Sequence, residues 1–113
     1  MLKISGTGRK KEKLGGTGSG AAQTFYVEIP DKAGAFQMAA RIELEPGASI
    51  GYHRHADDEE VYVVLAGRGV YTEEGQSAEA KAGDVFLCRQ GNSHGLENNS
   101  ADALILAAAI AQK

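Results

Sequence analysis

The sequence predicts an all-β protein of the sandwich or barrel kind, and three observations carry that prediction. Residues 36–45, FQMAARIELE, alternate: Phe36, Met38, Ala40, Ile42 and Leu44 fall on one face, and Gln37, Arg41, Glu43 and Glu45 on the other. A repeat of two is the mark of a half-buried strand. Residues 60–67, EVYVVLAG, are β-branched and aromatic and apolar on both faces, as in a strand covered on both sides. Short runs of this kind recur at regular spacing between Pro and Gly turn signals.

Taken in order, the first twenty residues are polar and rich in glycine. Gly15 and Gly20 have the outer spacing of a phosphate loop, but Ala21 and Ala22 follow where Lys and Ser or Thr are needed, and no apolar strand precedes. Residues 1–22 are therefore expected to be a flexible Gly-rich lead-in, and residues 23–113 the barrel domain. TFYVEI, residues 24–29, reads as a strand ended by Pro30-Asp31. The alternating strand closes at Pro46-Gly47. Beyond EVYVVLAG, GVYTEEGQSAEAKAGD reads as a hairpin turning near Glu74-Gly75, with a second turn at Ala82-Gly83. DVFLCR is another short strand. The tail DALILAAAIAQ is alanine-rich and helical by propensity, yet after so many strands it is expected to close the sheet. No internal repeat is visible.

Composition bounds the function. A chain of 113 residues, 42% hydrophobic and 24% charged, holds one core. A net charge of −3 gives no reason to expect nucleic acid, and the cluster Arg9, Lys10, Lys11 and Lys13 reads as a solvated segment. The single cysteine, Cys88, excludes an internal disulfide. No segment reads as a signal peptide or approaches the roughly 20 apolar residues of a bilayer span. No membrane association and a cytoplasmic location are the default expectations.

The chain has three histidines, and two of them, His53 and His55, flank Arg54 ahead of Asp57, Asp58, Glu59 and Glu60. In an extended strand, residues two apart share a face, so both imidazoles would aim at one point. Neutral imidazole is the commonest metal-binding side chain. An isolated pair of this kind could equally be two surface histidines. The surrounding pattern decides. Gly47, five residues, His53, Arg54, His55, four residues, Glu60, six residues and Gly67 fill every fixed position of the first motif of the cupin superfamily. Gly83, five residues, Arg89, Gln90, Gly91, two residues, His94, three residues and Asn98 fill the second, with Arg89 where the motif has proline. The chain therefore resembles a small single-domain cupin, and its PGASIGYHRH stretch is similar to oxalate-decarboxylase-like members.

That resemblance implies an antiparallel double-stranded β-helix, a jelly-roll barrel, with His53, His55, Glu60 and His94 around one divalent ion. Three imidazoles and a carboxylate suit Mn, Fe, Co, Ni or Zn rather than Ca or Mg. Asp57, Asp58 and Glu59 are expected in a solvated turn, with Glu59 the fallback ligand if the loop is bulged. Gly47, Gly67, Gly83 and Gly91 are expected at turns, and Asn98 as a hydrogen-bonding member of the fold. Arg89 is expected to be exposed and Cys88 to be a small core residue. Tyr52 and Tyr62 are either pocket-lining or core, and Arg41 is turned away from the apolar face.

If Glu60, Tyr62 and Val64 face the interior, Val61, Val63 and Leu65 need another cover, and with no second domain expected a homodimer is the natural answer. Two classes of function stay open. One is a metal-dependent enzyme, a decarboxylase, dioxygenase or isomerase, acting on a small anionic or polyhydroxy ligand. The other is a non-catalytic small-molecule-binding or sensor module. A purely structural metal is disfavoured because structural sites are closed.

Overall fold

The computed structural model describes residues 1–4, 8–12, 14 and 18–112, and among them the regular structure is all strand. The strands are β1 (Arg9–Glu12), β2 (Ala21–Tyr26), β3 (Phe36–Leu44), β4 (Ser49–Arg54), β5 (Asp58–Ala66), β6 (Arg68–Glu73), β7 (Gln76–Lys81), β8 (Val85–Cys88), β9 (Ser93–Glu97) and β10 (Leu104–Gln112). All pairings are antiparallel. One sheet runs β1-β2-β3-β10-β5-β8 and the other β4-β9-β6-β7. From β3 onward the chain crosses between the sheets so that its first strand pairs with its last, which is the double-stranded β-helix. No helix among the described residues is long and apolar enough to cross a membrane.

The core lies between the sheets. Ile42, Leu44, Tyr62, Val64, Leu104 and Leu106 come from the larger sheet, and Ile50, Tyr71, Ala80 and Leu96 from the smaller. The alternation read in residues 36–45 holds from Ala40 to Leu44, with Ala40, Ile42 and Leu44 buried and the residues between them partly exposed, but Phe36 is 59% exposed at the strand's start, where the register with β10 shifts. The alanine-rich tail is a strand: β10 is paired along its length with β3 on one side and β5 on the other. Two full ladders outweigh the few tenths of a kcal/mol per residue by which alanine favours helix.

Sequence patterning placed β2 too late in the chain. A strand expected over residues 24–29 runs instead over Ala21–Tyr26, because Ala22 to Tyr26 are held in register against Leu44 to Ala40 of β3. The domain boundary placed at residue 23 thus falls inside a strand. Ahead of it, within the segment read as a lead-in, β1 pairs with β2 and Ile4 bridges Val27. RKKE has no alternation to betray a strand, since this edge strand is held by backbone bonds. Residues 5–7, 13 and 15–17 of that segment lie outside the described residues.

Two positions fix the connections. Gly67 has φ of 85°, and a Cβ there would stand 2.3 Å from the Ala103 carbonyl oxygen, so both conformation and space require glycine. Asn98 is fully buried. Its Nδ2 donates to the Leu44 and Asp102 carbonyls at 3.0 and 2.8 Å, and its Oδ1 accepts from the Ser100 amide and hydroxyl at 3.0 and 2.8 Å. It is the structural pin that its motif position suggested. Asn98→Ala removes the donor to the buried Leu44 carbonyl and the acceptor of the Ser100 amide, and is expected to destabilise the fold by about 2–4 kcal/mol in chemical denaturation.

Candidate metal centre

Both sheets supply the site. β4 brings His53, with His55 one residue past its end; β9 brings His94; and β5, across the barrel, brings Glu60. On β5 the period of two turns Glu60, Tyr62 and Val64 inward, where they are 4%, 1% and 1% exposed. Glu59 points the opposite way, so it is not a fallback ligand.

A bulge aims His53. Ile50 pairs with Leu96 and His53 with His94, so three steps along β4 match two along β9. The extra residue reverses the alternation. His53 turns into the barrel and Tyr52 turns out, to 49% exposure, so Tyr52 neither lines the site nor joins the core. Tyr62 does both: it is buried and stacks on His94 with centroids 4.6 Å apart and planes 18° from parallel.

The four expected side chains converge. Among the described residues, one donor atom from each of His53, His55, Glu60 and His94 lies within 4.8 Å of all the others. The three ring centroids form a triangle with all sides 4.8 Å. Nε2 of His55 is 3.1 Å from that of His53 and 3.0 Å from that of His94. Glu60 Oε1 is 2.9, 3.0 and 3.7 Å from Nε2 of His94, His55 and His53.

The far nitrogens say which atoms face inward as acceptors. His53 Nδ1 lies 2.6 Å from the Gly51 carbonyl oxygen, which only accepts. His55 Nδ1 lies 2.6 Å from Asp58 Oδ1, a carboxylate that also accepts. His94 Nδ1 lies 3.0 Å from the Tyr71 oxygen, and the Tyr71 hydroxyl donates to Glu73, so the imidazole must be the donor. Each Nδ1 therefore carries a proton, and each Nε2 presents a lone pair to the same point as Glu60 Oε1. Lone pairs gathered at about 3 Å repel one another unless a metal ion, or in its absence a proton shared with Glu60, sits among them.

The distances also suit a metal. Donors about 2.1 Å from an ion stand roughly 3.0 Å apart at right angles and roughly 3.4 Å apart at tetrahedral angles. Four of the five separations above lie between 2.9 and 3.1 Å. Three imidazoles and one carboxylate thus fit a divalent transition metal. Without it, His53 carries its proton to higher pH than usual, chiefly through its hydrogen bond with Glu60 and against the effect of burial. Burial alone would push the Glu60 carboxyl up, but hydrogen bonding with His53 and His94 brings it down to about 2.

Asp58, Tyr71 and Glu73 stand behind the imidazoles, and patterning did not single them out for this. Asp58 had been assigned to a solvated turn, whereas it opens β5 and backs His55. Its place three residues after His55 was the only available signal. Arg89 is exposed, as expected. Cys88 faces inward beside Glu60 and is fully buried, and burial pushes its thiol up to about 12, so it remains protonated and unreactive. Arg41 stands on the outer face, 4.2 Å over the Phe25 ring.

Comparison with known proteins agrees with this fold. Residues 40–110 match the model of the cupin domain family, Cupin_2. An oxalate-binding protein of Thermotoga maritima is 42% identical over 62 residues, covering 55% of this chain and 51% of that protein. An uncharacterised protein of Methanocaldococcus jannaschii is 32% identical over 65 residues, or 58% and 52% of the two chains. These matches span about half the length of the curated relatives. Among solved structures, a predicted oxalate decarboxylase from T. maritima superposes with a TM-score of 0.91 at 30% identity, covering 100% of this chain and 99% of that one. The cupin domain of Schizosaccharomyces pombe Cnp3, at 19% identity, 80% and 61% coverage and a TM-score of 0.70, shares the fold.

Proposed function

Since the chain belongs to the cupin domain family, we propose that His53, His55, Glu60 and His94 hold one divalent ion of Mn, Fe, Co, Ni or Zn and present it to a small carboxylate or sugar-like ligand. The observation that carries the reading is the convergence of four lone-pair donors at right-angle spacing. Four ligands leave two of six octahedral positions for a chelate. A divalent ion with one carboxylate and three neutral imidazoles keeps a single net positive charge, which attracts an anion. His53, with a side chain 25% exposed against 6% for His55 and 1% for His94, forms the solvent side of the cluster. When bound, the ion supplies Lewis acidity toward ligand oxygens. The names of the two T. maritima relatives, one oxalate-binding and one a predicted oxalate decarboxylase, support a dicarboxylate.

Between catalysis and binding, one observation favours binding. The carboxylates next to the cluster, Asp58 and Glu73, are engaged behind His55 and His94, so neither stands ready as a general acid or base. The metal-loaded protein incubated with oxalate, a quercetin-like diol or a uronate separates the classes. Tight binding without product supports the module. Turnover that disappears in His53→Ala supports a decarboxylase, dioxygenase or isomerase.

We also propose that a second copy of the chain covers the outer face of the larger sheet. Ala39, Ala107 and Ala109 floor a trough of about 440 Å³ with Val61, Val63 and Leu65 along it. Leu65, and Val85 and Leu87 on the adjoining β8, are 50%, 61% and 54% exposed. A continuous apolar face of this kind can meet its own copy across a two-fold axis. Light scattering is expected to give a dimer mass that falls to a monomer in Leu65→Asp/Leu87→Glu; a wild-type monomer at micromolar concentration rejects the interface.

A further inference from the structure

Behind His94, on the side away from the metal position, lies a chain of three side chains, none of them a metal ligand. Asn92 Nδ2 donates to Glu73 Oε2 at 2.9 Å, the Tyr71 hydroxyl donates to Glu73 Oε1, and the Tyr71 oxygen lies 3.0 Å from His94 Nδ1. Tyr71 and His94 are buried, and the Phe86 ring stacks on Tyr71 at 4.1 Å. Glu73 and Asn92 are only partly buried and line a cleft of about 400 Å³ with Tyr71, Phe86 and Gln76.

A phenol has one proton to give. Glu73 takes it, and Asn92 holds the carboxylate in place while it does so. Tyr71 can then only accept from His94. We propose that Glu73, acting through Tyr71, is a positioning residue that fixes the Nδ1–H form of His94 and so keeps the Nε2 lone pair free for the metal. The control is remote, because it comes from a group that touches neither His94 nor the ion through its side chain. His53 and His55 differ, being held directly by a carbonyl and a carboxylate. Outer partners of this kind are typically worth 10- to 100-fold in metal affinity.

Removing the Glu73 acceptor has a specific consequence. With Glu73→Leu, the freed Tyr71 hydroxyl can donate to His94 Nδ1. The imidazole proton then moves to Nε2, where Glu60 Oε1 waits at 2.9 Å. Glu73→Gln keeps a carbonyl oxygen that can accept from Tyr71, and the Asn92 amide can turn to suit it.

The test uses the full chain labelled with nitrogen-15 on histidine. Long-range proton–nitrogen spectra of the metal-free protein read which His94 nitrogen bears hydrogen. Competition titration with zinc reads affinity. Expected are Nδ1–H in the wild type and Glu73→Gln, loss of the Nδ1 proton in Glu73→Leu and in Tyr71→Phe, and zinc affinity lowered about 10- to 100-fold in those last two. An unchanged His94 pattern in a folded Glu73→Leu variant overturns the proposal, and so does a Glu73→Gln variant that behaves like the leucine variant. The affinity arm rests on the metal-site reading. The tautomer arm does not, so a wild type that binds no metal sinks that reading while leaving this one to be decided by the spectra.

Discussion

Replacing His94 with alanine is expected to lower zinc affinity by roughly 100- to 1,000-fold while leaving the strands intact. Four-ligand zinc sites are worth about 10–16 kcal/mol, so one ligand accounts for roughly 3 kcal/mol, and each 1.4 kcal/mol is tenfold. His94 is fully buried against Tyr62 and Tyr71, so some loss of stability accompanies the change. Glu59→Ala controls for charge. Glu59 is the immediate neighbour of Glu60 on β5 but faces the other way, and its removal should change zinc affinity less than about twofold. Competition titration against a chelator of known affinity checks both. If the Glu59 variant loses as much as the His94 variant, the inward assignment of Glu60 is wrong.

The second large effect is on pH. A protonated imidazole cannot ligate, so each histidine that must lose a proton weakens metal binding tenfold per pH unit below its pKa. Acidification from about pH 7.5 to about pH 5.5, across the ordinary imidazole value near 6.5, is expected to reduce affinity at least about tenfold, because His53 must shed its proton to ligate. His53 is raised above 6.5 by its hydrogen bond with Glu60, so the decline begins on the alkaline side of that value.

Without metal the sign reverses. A raised His53 stabilises the fold fully below 6.5, and that contribution is lost as pH rises through its folded value. The matching contribution of Glu60, depressed to about 2, is present above its ordinary 4.5 and lost only as pH falls toward 2. The two shifts describe one interaction and are counted once. The gap in melting temperature between metal-loaded and metal-free protein should therefore narrow as pH falls from about 8 to about 5.5, because the loaded form loses stability as the empty form gains it. A gap that is constant or widens over that range contradicts this assignment.

The jelly roll was legible because its central strands obey simple rules. β3 alternates, β5 is apolar on both faces, and the β6–β7 hairpin turns at Glu74 and Gly75, both with positive φ. The four-residue donor set came from the resemblance to the cupin motifs, whose histidine and glutamate positions fall on His53, His55, Glu60 and His94. What stayed hidden depends on partners far away in the chain. β1 is a polar edge strand and β9, SHGLE, carries a central glycine, so neither announces itself by periodicity. The bulge that turns His53 inward and Tyr52 outward is a mismatch between β4 and β9, and no reading of β4 by itself contains it. Asp58, Tyr71 and Glu73 look like ordinary strand and turn residues until the imidazoles are placed beside them.

X-ray absorption at the metal edge of the loaded protein reads the four-residue site itself. Expected is about one ion per chain, with scattering from three imidazoles, a carboxylate oxygen and about two further light atoms near 2.1 Å. Loading below about a tenth of an ion per chain at saturating metal, or a shell with fewer than two imidazoles, would contradict it.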